Sequence, residues 1–440
     1  MKKLFTLALI SSAVAFSPFA FSSSTSDKID KDYQQHLGPL WDHFHQNPEL
    51  SLMEFKTAKR LATELRTVGF TVTENVGGTG IVALMKNGEG PTVMVRADMD
   101  GLPVVEASGL TNASTVITKD WNGKEVGVMH ACGHDVHITS LVGTARHMAS
   151  IKSQWSGTLM LIGQPAEEMG PGASAMMADN LWQRFGKPDY AFAFHVGSGI
   201  EAGKIVVDEG SPYAGADTVD IIVHGIGAHG AYPHRGKDPI VIGAQIVNNL
   251  QTIISRELAP RYPGVITVGS FHAGTKHNII SDRAHLQLTV RSLTPEVREQ
   301  LLSAIKRIAI GTARTAGMPE DKLPEVNVSE FAYPPTFNDK ALAKRLKEVL
   351  TDKMGDLALI EPSATGMGAE DFGFFTTKPY IPSVYFGVGG TPAADFKREA
   401  EGGAAVPSHH SPLFKITPEP AVKAGVEATV HALLDIMNKQ

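Results

Sequence analysis

The sequence predicts a two-domain α/β protein, in which a mostly parallel sheet is interrupted by a smaller inserted α+β unit. Short apolar runs alternate with helical stretches over the first half of the chain, a pattern typical of parallel strands joined by crossover helices. The pattern of predicted elements changes between Ser211 and Gly215, after which strands follow one another more closely. The 440 residues, of which 42% are hydrophobic, suffice for two domains and would allow three.

Residues 1–22 are expected to be a secretory signal peptide and not part of the fold. A short positive segment, Met1–Lys3, precedes an apolar run from Leu4 to Phe16 that is short for a membrane span. Ala20 and Ser22 fit a −3/−1 cleavage pair, so the mature chain is expected to begin near Ser23. An uncleaved anchor is the alternative. The signal predicts a secreted protein, located in the periplasm, without a membrane span after cleavage.

The first domain is predicted to comprise residues 23–212 and 331–440. A helical region is predicted from Asp32 to Gly69, where the glycine would end it. The other predicted elements are strands at 92–95, 158–162, 190–194 and 380–386, with helices at 136–150 and 419–438.

Residues 213–330 are predicted to form the inserted unit, an antiparallel sheet with two helices on one face. Its strands are expected at 217–223, 265–271 and 284–290, and in the last of these apolar and polar residues alternate. Asp238-Pro239 and Thr294-Pro295 each combine an N-cap residue with proline at the first helical position, so both should begin a helix.

Composition excludes some classes of partner. The net charge of −6, with 20% charged residues, leaves no basic excess that would favour nucleic acid. The chain has one cysteine, Cys132, which rules out an internal disulfide. A lone thiol in an oxidising compartment must be buried or have a chemical role.

Candidate metal ligands follow the predicted strands. In open α/β sheets, sites form at the carboxyl ends of the strands, so the loops there should lie together. They contain a thiol, imidazoles and carboxylates, which are ligands for first-row metals. These loops are Arg96–Pro103, His130–Asp135, Gln164–Glu168 and the segment at His195.

Each candidate alone has an ordinary structural explanation. Cys132 and His134 could be a buried hydrogen-bonded pair, Glu167-Glu168 a solvated acidic pair, and His195 a core histidine. Their joint occurrence at one sheet edge favours a metal site. The remaining helical histidines are interpreted otherwise: His137 and His147 as structural, and His36, His43 and His45 as surface residues.

The motifs resemble those of the M20 metallopeptidases, in the amidohydrolase branch with hippurate hydrolases and auxin-conjugate hydrolases. Met129–His137 is similar to the metal motif of that family. Further similar blocks follow in the same order at 96–100, 164–168, 227–230, 368–372 and 409–412, so the resemblance extends from about Phe44 to Phe414. Two departures are Gly101 in place of a common alanine and Ser281 in place of a common proline, and the second leaves the placement of Asn278 open.

The resemblance implies a site for two divalent ions, Zn²⁺ or Mn²⁺ with Co²⁺ or Ni²⁺ as alternatives. Cys132 would bridge the ions as a thiolate, with His134 and His195 on one ion and Glu168 and His410 on the other. His410 is preferred to His409 because the family's ligand stands two residues before the proline, here Pro412. Glu167 would be the general base, and Asp100 would orient a ligand.

The inserted unit would be a lid that also forms a homodimer. By resemblance, His229 would steady the oxyanion, often from the partner subunit, and Asn278, Arg291 and Glu370 would bind substrate. The implied reaction is hydrolysis of the amide bond of an N-acyl amino acid or amino acid conjugate. A dipeptidase or carboxypeptidase acting on small peptides is the alternative enzyme. A periplasmic binding protein for a metal or solute is the alternative of another class.

Overall fold

The computed structural model describes residues 24–355, 358–362 and 366–439. The predicted signal peptide lies outside the described residues. Along the described part of the chain, no helix is both long and apolar enough to cross a membrane.

The described residues form fifteen strands and twelve α-helices. The strands are β1 (Thr71–Val76), β2 (Gly80–Asn87), β3 (Thr92–Asp98), β4 (Ile117–Lys119), β5 (Glu125–Gly127), β6 (Gly157–Gln164), β7 (Tyr190–Glu201), β8 (Ile205–Val206), β9 (Gly215–His224), β10 (Ala228–His229), β11 (Gly264–Ala273), β12 (Ile279–Ile280), β13 (Arg283–Ser292), β14 (Glu325–Val328) and β15 (Ser383–Thr391). The helices are α1 (Thr25–Asp32), α2 (Gly38–Gln46), α3 (Phe55–Thr67), α4 (His134–Ser150), α5 (Gly172–Ala178), α6 (Leu181–Phe185), α7 (Pro239–Thr252), α8 (Pro295–Thr315), α9 (Lys340–Met354), α10 (Gly373–Thr376), α11 (Ala393–Ala400) and α12 (Pro418–Met437).

The larger sheet has seven strands in the order β1-β2-β6-β3-β7-β15-β8. Its four central strands, β6, β3, β7 and β15, are parallel, whereas β1, β2 and β8 pair antiparallel. Side chains alternate between two apolar layers: Val93 and Val95 pack on the side of α4 and α12, and Met94 packs on the side of α5. Burial on both faces explains the continuous apolar runs of these strands. The predicted mostly parallel α/β domain is confirmed.

The first helical region is interrupted, unlike the predicted one. A π-helical turn at 33–37 joins α1 to α2, and residues 47–54 then separate α2 from α3. Pro48 follows directly on Asn47, and a residue before proline is biased away from the helical conformation. Gly69 has φ +92°, a left-handed conformation that fits its predicted place beyond the end of the helix.

The second sheet is antiparallel, with the order β11-β13-β9-β14. Helices α7 and α8 pack against it around a separate apolar core. Asp238 and Thr294 cap these helices as predicted, since their side chains accept hydrogen bonds from Ile240 N (2.9 Å) and Val297 N (3.3 Å). The predicted α+β unit is therefore confirmed, and the structure adds β14 and the short pair β10–β12.

Candidate metal centre

Two groups of possible metal ligands share Cys132. One combines it with His134 and His195, and the other combines it with Glu168 and His410; within each group the ligand atoms lie within 4.8 Å of one another. Cys132 Sγ lies 3.5 Å from His195 Nε2, and His410 Nε2 lies 3.2 Å from Glu168 Oε1. The structure thus brings all five predicted ligands together around one thiol, and His134 also forms possible ligand groups with Glu167 and Glu168 and with Asp98 and His137.

Unusual backbone conformations aim these side chains. Gly133 has φ +82°, and a Cβ there would lie 2.4 Å from Val196 Cγ1, so only glycine fits between Cys132 and His134. Ala166, directly before the two glutamates, has φ +49°, and His410 has φ +65°. Left-handed conformations of non-glycine residues are strained and often occur at functional sites.

Two histidines, His134 and His195, use Nδ1 for a hydrogen bond, which leaves Nε2 of each ring facing the thiol. His134 Nδ1 lies 2.8 Å from the carbonyl oxygen of Asp100, and His195 Nδ1 lies 2.8 Å from that of Val196, so each Nδ1–H donates to a carbonyl. His134 is fully buried, yet its Nε2 has no hydrogen-bond partner among the described residues. A buried nitrogen lone pair without a donor fits a metal ligand.

Asp100 connects the two halves of the centre. Its Oδ2 accepts hydrogen bonds from Ser51 Oγ (2.6 Å) and Glu168 N (3.0 Å), and its Oδ1 lies 3.4 Å from His134 Nδ1. Burial disfavours the charged carboxylate, but the hydrogen bonds from His134 and Ser51 outweigh burial and lower the pKa of Asp100. This geometry agrees with an orienting role for Asp100.

The centre has an excess of acidic groups. Burial, followed by the charges of Glu370 and Asp371, raises the pKa of Glu167 well above its usual value. Burial and the carboxylates of Glu168 and Glu167 likewise raise the pKa of the Cys132 thiol. Divalent cations would reverse both effects, because they stabilise thiolate and carboxylate in place of water. With its thiolate, imidazole and carboxylate donors, the centre fits Zn²⁺, Mn²⁺, Co²⁺ or Ni²⁺ better than Ca²⁺ or Mg²⁺.

Arg96 organises the acidic side of the centre, a role that the sequence did not reveal. Its fully buried guanidinium lies 2.7 Å from Asp98, 2.8 Å from Glu370 and 3.1 Å from Asp371. Glu370 also accepts a hydrogen bond from Tyr385 Oη at 2.7 Å. The only available signal was a charged residue inside the apolar strand β3, which is costly without partners.

A cavity of about 520 Å³ opens beside the five ligand candidates. Of the predicted substrate-binding residues, Arg291 and Glu370 line it, although the Glu370 carboxylate is already held by Arg96 and Tyr385. Asn278 and the predicted oxyanion residue His229 are exposed on the inserted domain and do not line it. Other lining residues that sequence reasoning missed are Tyr213, Tyr333 and Ile200, which no local motif distinguishes.

The neighbouring histidines clarify which imidazoles belong to the centre. His409 lines the cavity, but its Nε2 accepts a hydrogen bond from Ser198 N (3.2 Å), and only Nδ1 faces Cys132 Sγ, at 3.7 Å. Its neighbour His410 instead faces Glu168, as expected from the proline spacing. His137 is structural, since its Nδ1 donates to Asp98 and its Nε2 accepts from Val196 N.

The expectation that His45 is a surface residue was wrong. Its side chain is buried, stacks on Trp41 and lies 2.7 Å from Asp135 and 3.3 Å from Glu106. Burial works against the charged ring, but these two carboxylates raise the pKa of His45 to about 10. The polar ring lies on the inner face of α2 because two carboxylates satisfy it there, which local sequence could not indicate.

Comparison with known proteins identifies the family. The profile of peptidase family M20/M25/M40 matches residues 94–401. The chain belongs to this family. It is 36% identical over 410 residues to thermostable carboxypeptidase 2 of Saccharolobus solfataricus, covering 92% of this chain and 96% of that protein. It is 35% identical over 346 residues to hippurate hydrolase of Campylobacter jejuni, covering 78% and 86%.

A solved structure of this family has the same fold. The YxeP protein of Bacillus subtilis, described as a dinuclear metal binding peptidase from the M20 family, superimposes with a TM-score of 0.75 at 27% identity. The superposition covers 92% of this chain and 100% of that one. This M20 protein is therefore a hydrolase of amide or peptide bonds, in the amidohydrolase branch.

Proposed function

We propose that this M20 hydrolase cleaves the amide bond of N-acyl amino acids or amino acid conjugates with the help of two divalent transition-metal ions. The observation that carries the proposal is the pair of ligand groups that share Cys132, because these five residues suffice for two ions and leave Glu167 unneeded as a ligand, although Glu167 also forms a possible group with His134 and Glu168. A carboxylate that is not consumed as a ligand is free for proton transfer. The fit of the donor set and the hippurate hydrolase relative support the same reading.

The ions would be held by Cys132, His134 and His195 on one side and by Cys132, Glu168 and His410 on the other. When bound, they would supply Lewis acidity that polarises the amide carbonyl and activates water. Zn²⁺ or Mn²⁺ is proposed first, with Co²⁺ or Ni²⁺ as alternatives.

Glu167 acts as the general base in this proposal. Its carboxylate would accept a proton from the attacking water and return it to the leaving nitrogen. Burial and the charges of Glu370 and Asp371 raise the pKa of Glu167 in the absence of metal, so the bound cations would also serve to keep its carboxylate ionised and able to accept a proton. Asp100 would keep His134 and the backbone of Glu168 in place throughout.

The inserted domain is proposed to complete the site. Arg291 already lines the cavity and would bind the substrate carboxylate together with Asn278. His229, which is exposed, would reach the cavity of a partner subunit and stabilise the developing oxyanion. The homodimer is proposed to form along this domain, whose edge strand β11 and exposed apolar residues such as Val241 and Phe271 offer a surface.

The alternatives rest on different observations. The carboxypeptidase relative at 36% identity favours small peptides as a second substrate class. A periplasmic binding protein that kept the metal site would need no glutamate outside its ligand groups. Secretion to the periplasm, proposed from residues 1–22, is compatible with each of these.

The decisive experiment is release of free amino acid by the purified mature protein. The enzyme would be assayed on hippurate, N-acetyl amino acids, an indole-acetyl amino acid and dipeptides, after chelation and after separate reconstitution with Zn²⁺ and Mn²⁺. We expect metal-restored cleavage of the acyl conjugates. A preference for dipeptides would favour the peptidase alternative, and no turnover with two metals bound per chain would favour the binding protein.

A further inference from the structure

Glu54 is a fully buried carboxylate that no step of the proposed reaction uses. It lies at the N-cap of α3 and is 0% exposed. Its Oε1 accepts hydrogen bonds from Leu52 N (2.9 Å) and Ala166 N (2.8 Å), and its Oε2 accepts one from Thr79 Oγ1. It does not line the cavity, so it cannot touch the substrate there.

The two backbone donors share an unusual property. Leu52 has φ +66° and Ala166 has φ +49°, the left-handed conformation that non-glycine residues rarely adopt. Such conformations persist only where the surroundings hold them. One oxygen of the Glu54 carboxylate therefore accepts hydrogen bonds from two strained backbone positions, the nearby Leu52 and Ala166, which is 112 residues from Glu54 in sequence.

Ala166 is the residue directly before Glu167. On the other side of this glutamate, Glu168 N donates to Asp100 Oδ2 at 3.0 Å. The backbone carrying Glu167 is thus held between two carboxylates, Glu54 before it and Asp100 after it. Removing Asp100 would also disturb His134, whereas removing Glu54 would release Ala166 N together with Leu52 N and Thr79 Oγ1.

We propose that Glu54 is a positioning residue for Glu167: it fixes the strained backbone at Ala166 and so aims the general base. The expected effect of Glu54 on kcat rests on the proposed function. The geometric part, that Glu54 restrains the loop at Ala166, stands independently of the substrate. The side chain at position 54 must be long enough to reach both N–H groups and must accept their hydrogen bonds, but it need not be negatively charged.

Glu49 provides a matched control in the same region. Its Oε2 also accepts three hydrogen bonds, from Lys56 N (2.8 Å), Thr57 N (2.8 Å) and Thr57 Oγ1 (3.0 Å). It therefore supports the first turn of the same helix, and in the described part of the chain its side-chain hydrogen bonds go to residues 56 and 57 and not to residues 165–168. Glu49→Ala should reproduce a structural loss in α3 without moving Glu167.

The test compares Glu54→Ala, Glu54→Asp, Glu54→Gln and Glu49→Ala in the metal-loaded enzyme. Misplacing a catalytic group by about 1 Å can cost about 10²-fold, so Glu54→Ala should lower kcat about 10²-fold with KM and metal content nearly unchanged. Glu54→Asp keeps the charge but cannot reach both N–H groups, so it should lose kcat similarly. Glu54→Gln should stay close to wild type, since its amide oxygen can accept both bonds and its NH₂ can donate to Thr79.

Hydrogen exchange at residues 165–170 supplies a readout that does not need turnover. Glu54→Ala and Glu54→Asp should exchange faster there than wild type, and Glu49→Ala should not. Equal kcat in Glu54→Ala and Glu49→Ala, or a Glu54→Gln variant as impaired as Glu54→Ala, would overturn the proposal. If wild type cleaves no amide, the proposed function fails, and the exchange data still judge Glu54. If Glu54→Ala does not fold, the Asp and Gln variants carry the comparison.

Discussion

The two regions proposed to meet at the substrate differ in how firmly they hold their functional groups. On the catalytic domain, Asp98, Asp100 and His134 are buried and each makes several polar contacts. On the inserted domain, His229 and Asn278 are exposed, and His229 Nδ1 accepts only a local hydrogen bond from Ala231 N (3.0 Å). The first region is preorganised within the subunit, whereas the proposed function requires that the second be brought to the cavity.

Burial explains the difference in physical terms. Hydrogen bonds and ion pairs are stronger away from water, so the buried network can hold side chains that repel one another. Such a network also tolerates substitution poorly, because removing one side chain leaves the others buried without hydrogen-bond partners. Substitutions of residues fixed within this buried network should therefore change stability or metal content as well as rate. Substitutions of exposed residues such as His229 should change rate alone.

The largest effect should come from Glu167→Gln. General acid–base catalysis contributes about 10²–10⁴-fold, and kcat should fall by about that factor. Metal content should remain at wild-type level, since Glu167 is in neither ligand group that contains Cys132. Metal analysis and steady-state kinetics check this, with the exposed Glu399→Gln as a control. Retention of near-normal kcat would remove Glu167 as the base.

Arg96→Met should give the largest loss of stability. The substitution leaves Asp98, Glu370 and Asp371 buried without their cation, and breaking a buried ion pair costs about 3–5 kcal/mol of the free energy of unfolding. Urea unfolding of the metal-loaded protein measures it.

The control for Arg96 lies in the inserted domain. Arg314 forms an exposed pair with Glu320, and Arg314→Met should leave the unfolding midpoint unchanged. Similar losses in both variants would mean that burial does not distinguish the two regions.

The elements that the sequence predicted well are those whose signal is local. Val93–Val95 and its neighbouring strands are apolar because both faces are buried, and Asp238 and Thr294 precede prolines where helices begin. Strand β1 was missed because it lies at the sheet edge and most of its residues are partly exposed, so neither alternation nor an apolar run marks it.

The ligand candidates were also predictable, because each follows a strand or belongs to a short motif. The network around them was not. Arg96 meets Glu370 across 274 residues, and Glu54 meets Ala166 across 112. Such contacts arise only when the sheet assembles, and no spacing along one chain encodes them. The same holds for His45, whose carboxylate partners come from distant segments.

His229→Ala should change rate without changing stability. Loss of an oxyanion donor costs about 10²–10³-fold in kcat. Because His229 is exposed and its one hydrogen bond is local, the free energy of unfolding should stay within about 0.5 kcal/mol of wild type. Kinetics and urea unfolding are measured on the same preparation. A drop in metal content would show that His229 belongs to the buried network after all.

A mixture of His229→Ala with Glu167→Gln sharpens the comparison further. If His229 acts from the partner subunit, a mixed dimer contains one intact site, with Glu167 from one chain and His229 from the other. Activity should then reappear after subunit exchange although each variant alone is impaired. No recovery in a preparation shown to contain mixed dimers would place His229 within its own subunit's reaction.

Asn278→Ala should give the smallest effect of the series. One lost hydrogen bond to a substrate carboxylate is worth about 1.5–3 kcal/mol when the partner is charged, so KM should rise about 10- to 100-fold, with kcat changed less. Asn248→Ala on the exposed side of α7, whose side chain bonds only Ala244 O, is the matched control. Proline at position 281 would restrain the loop that carries Asn278, so Ser281→Pro should lower KM if Asn278 binds substrate. An unchanged KM in both variants would leave Arg291, already in the cavity, as the carboxylate-binding residue.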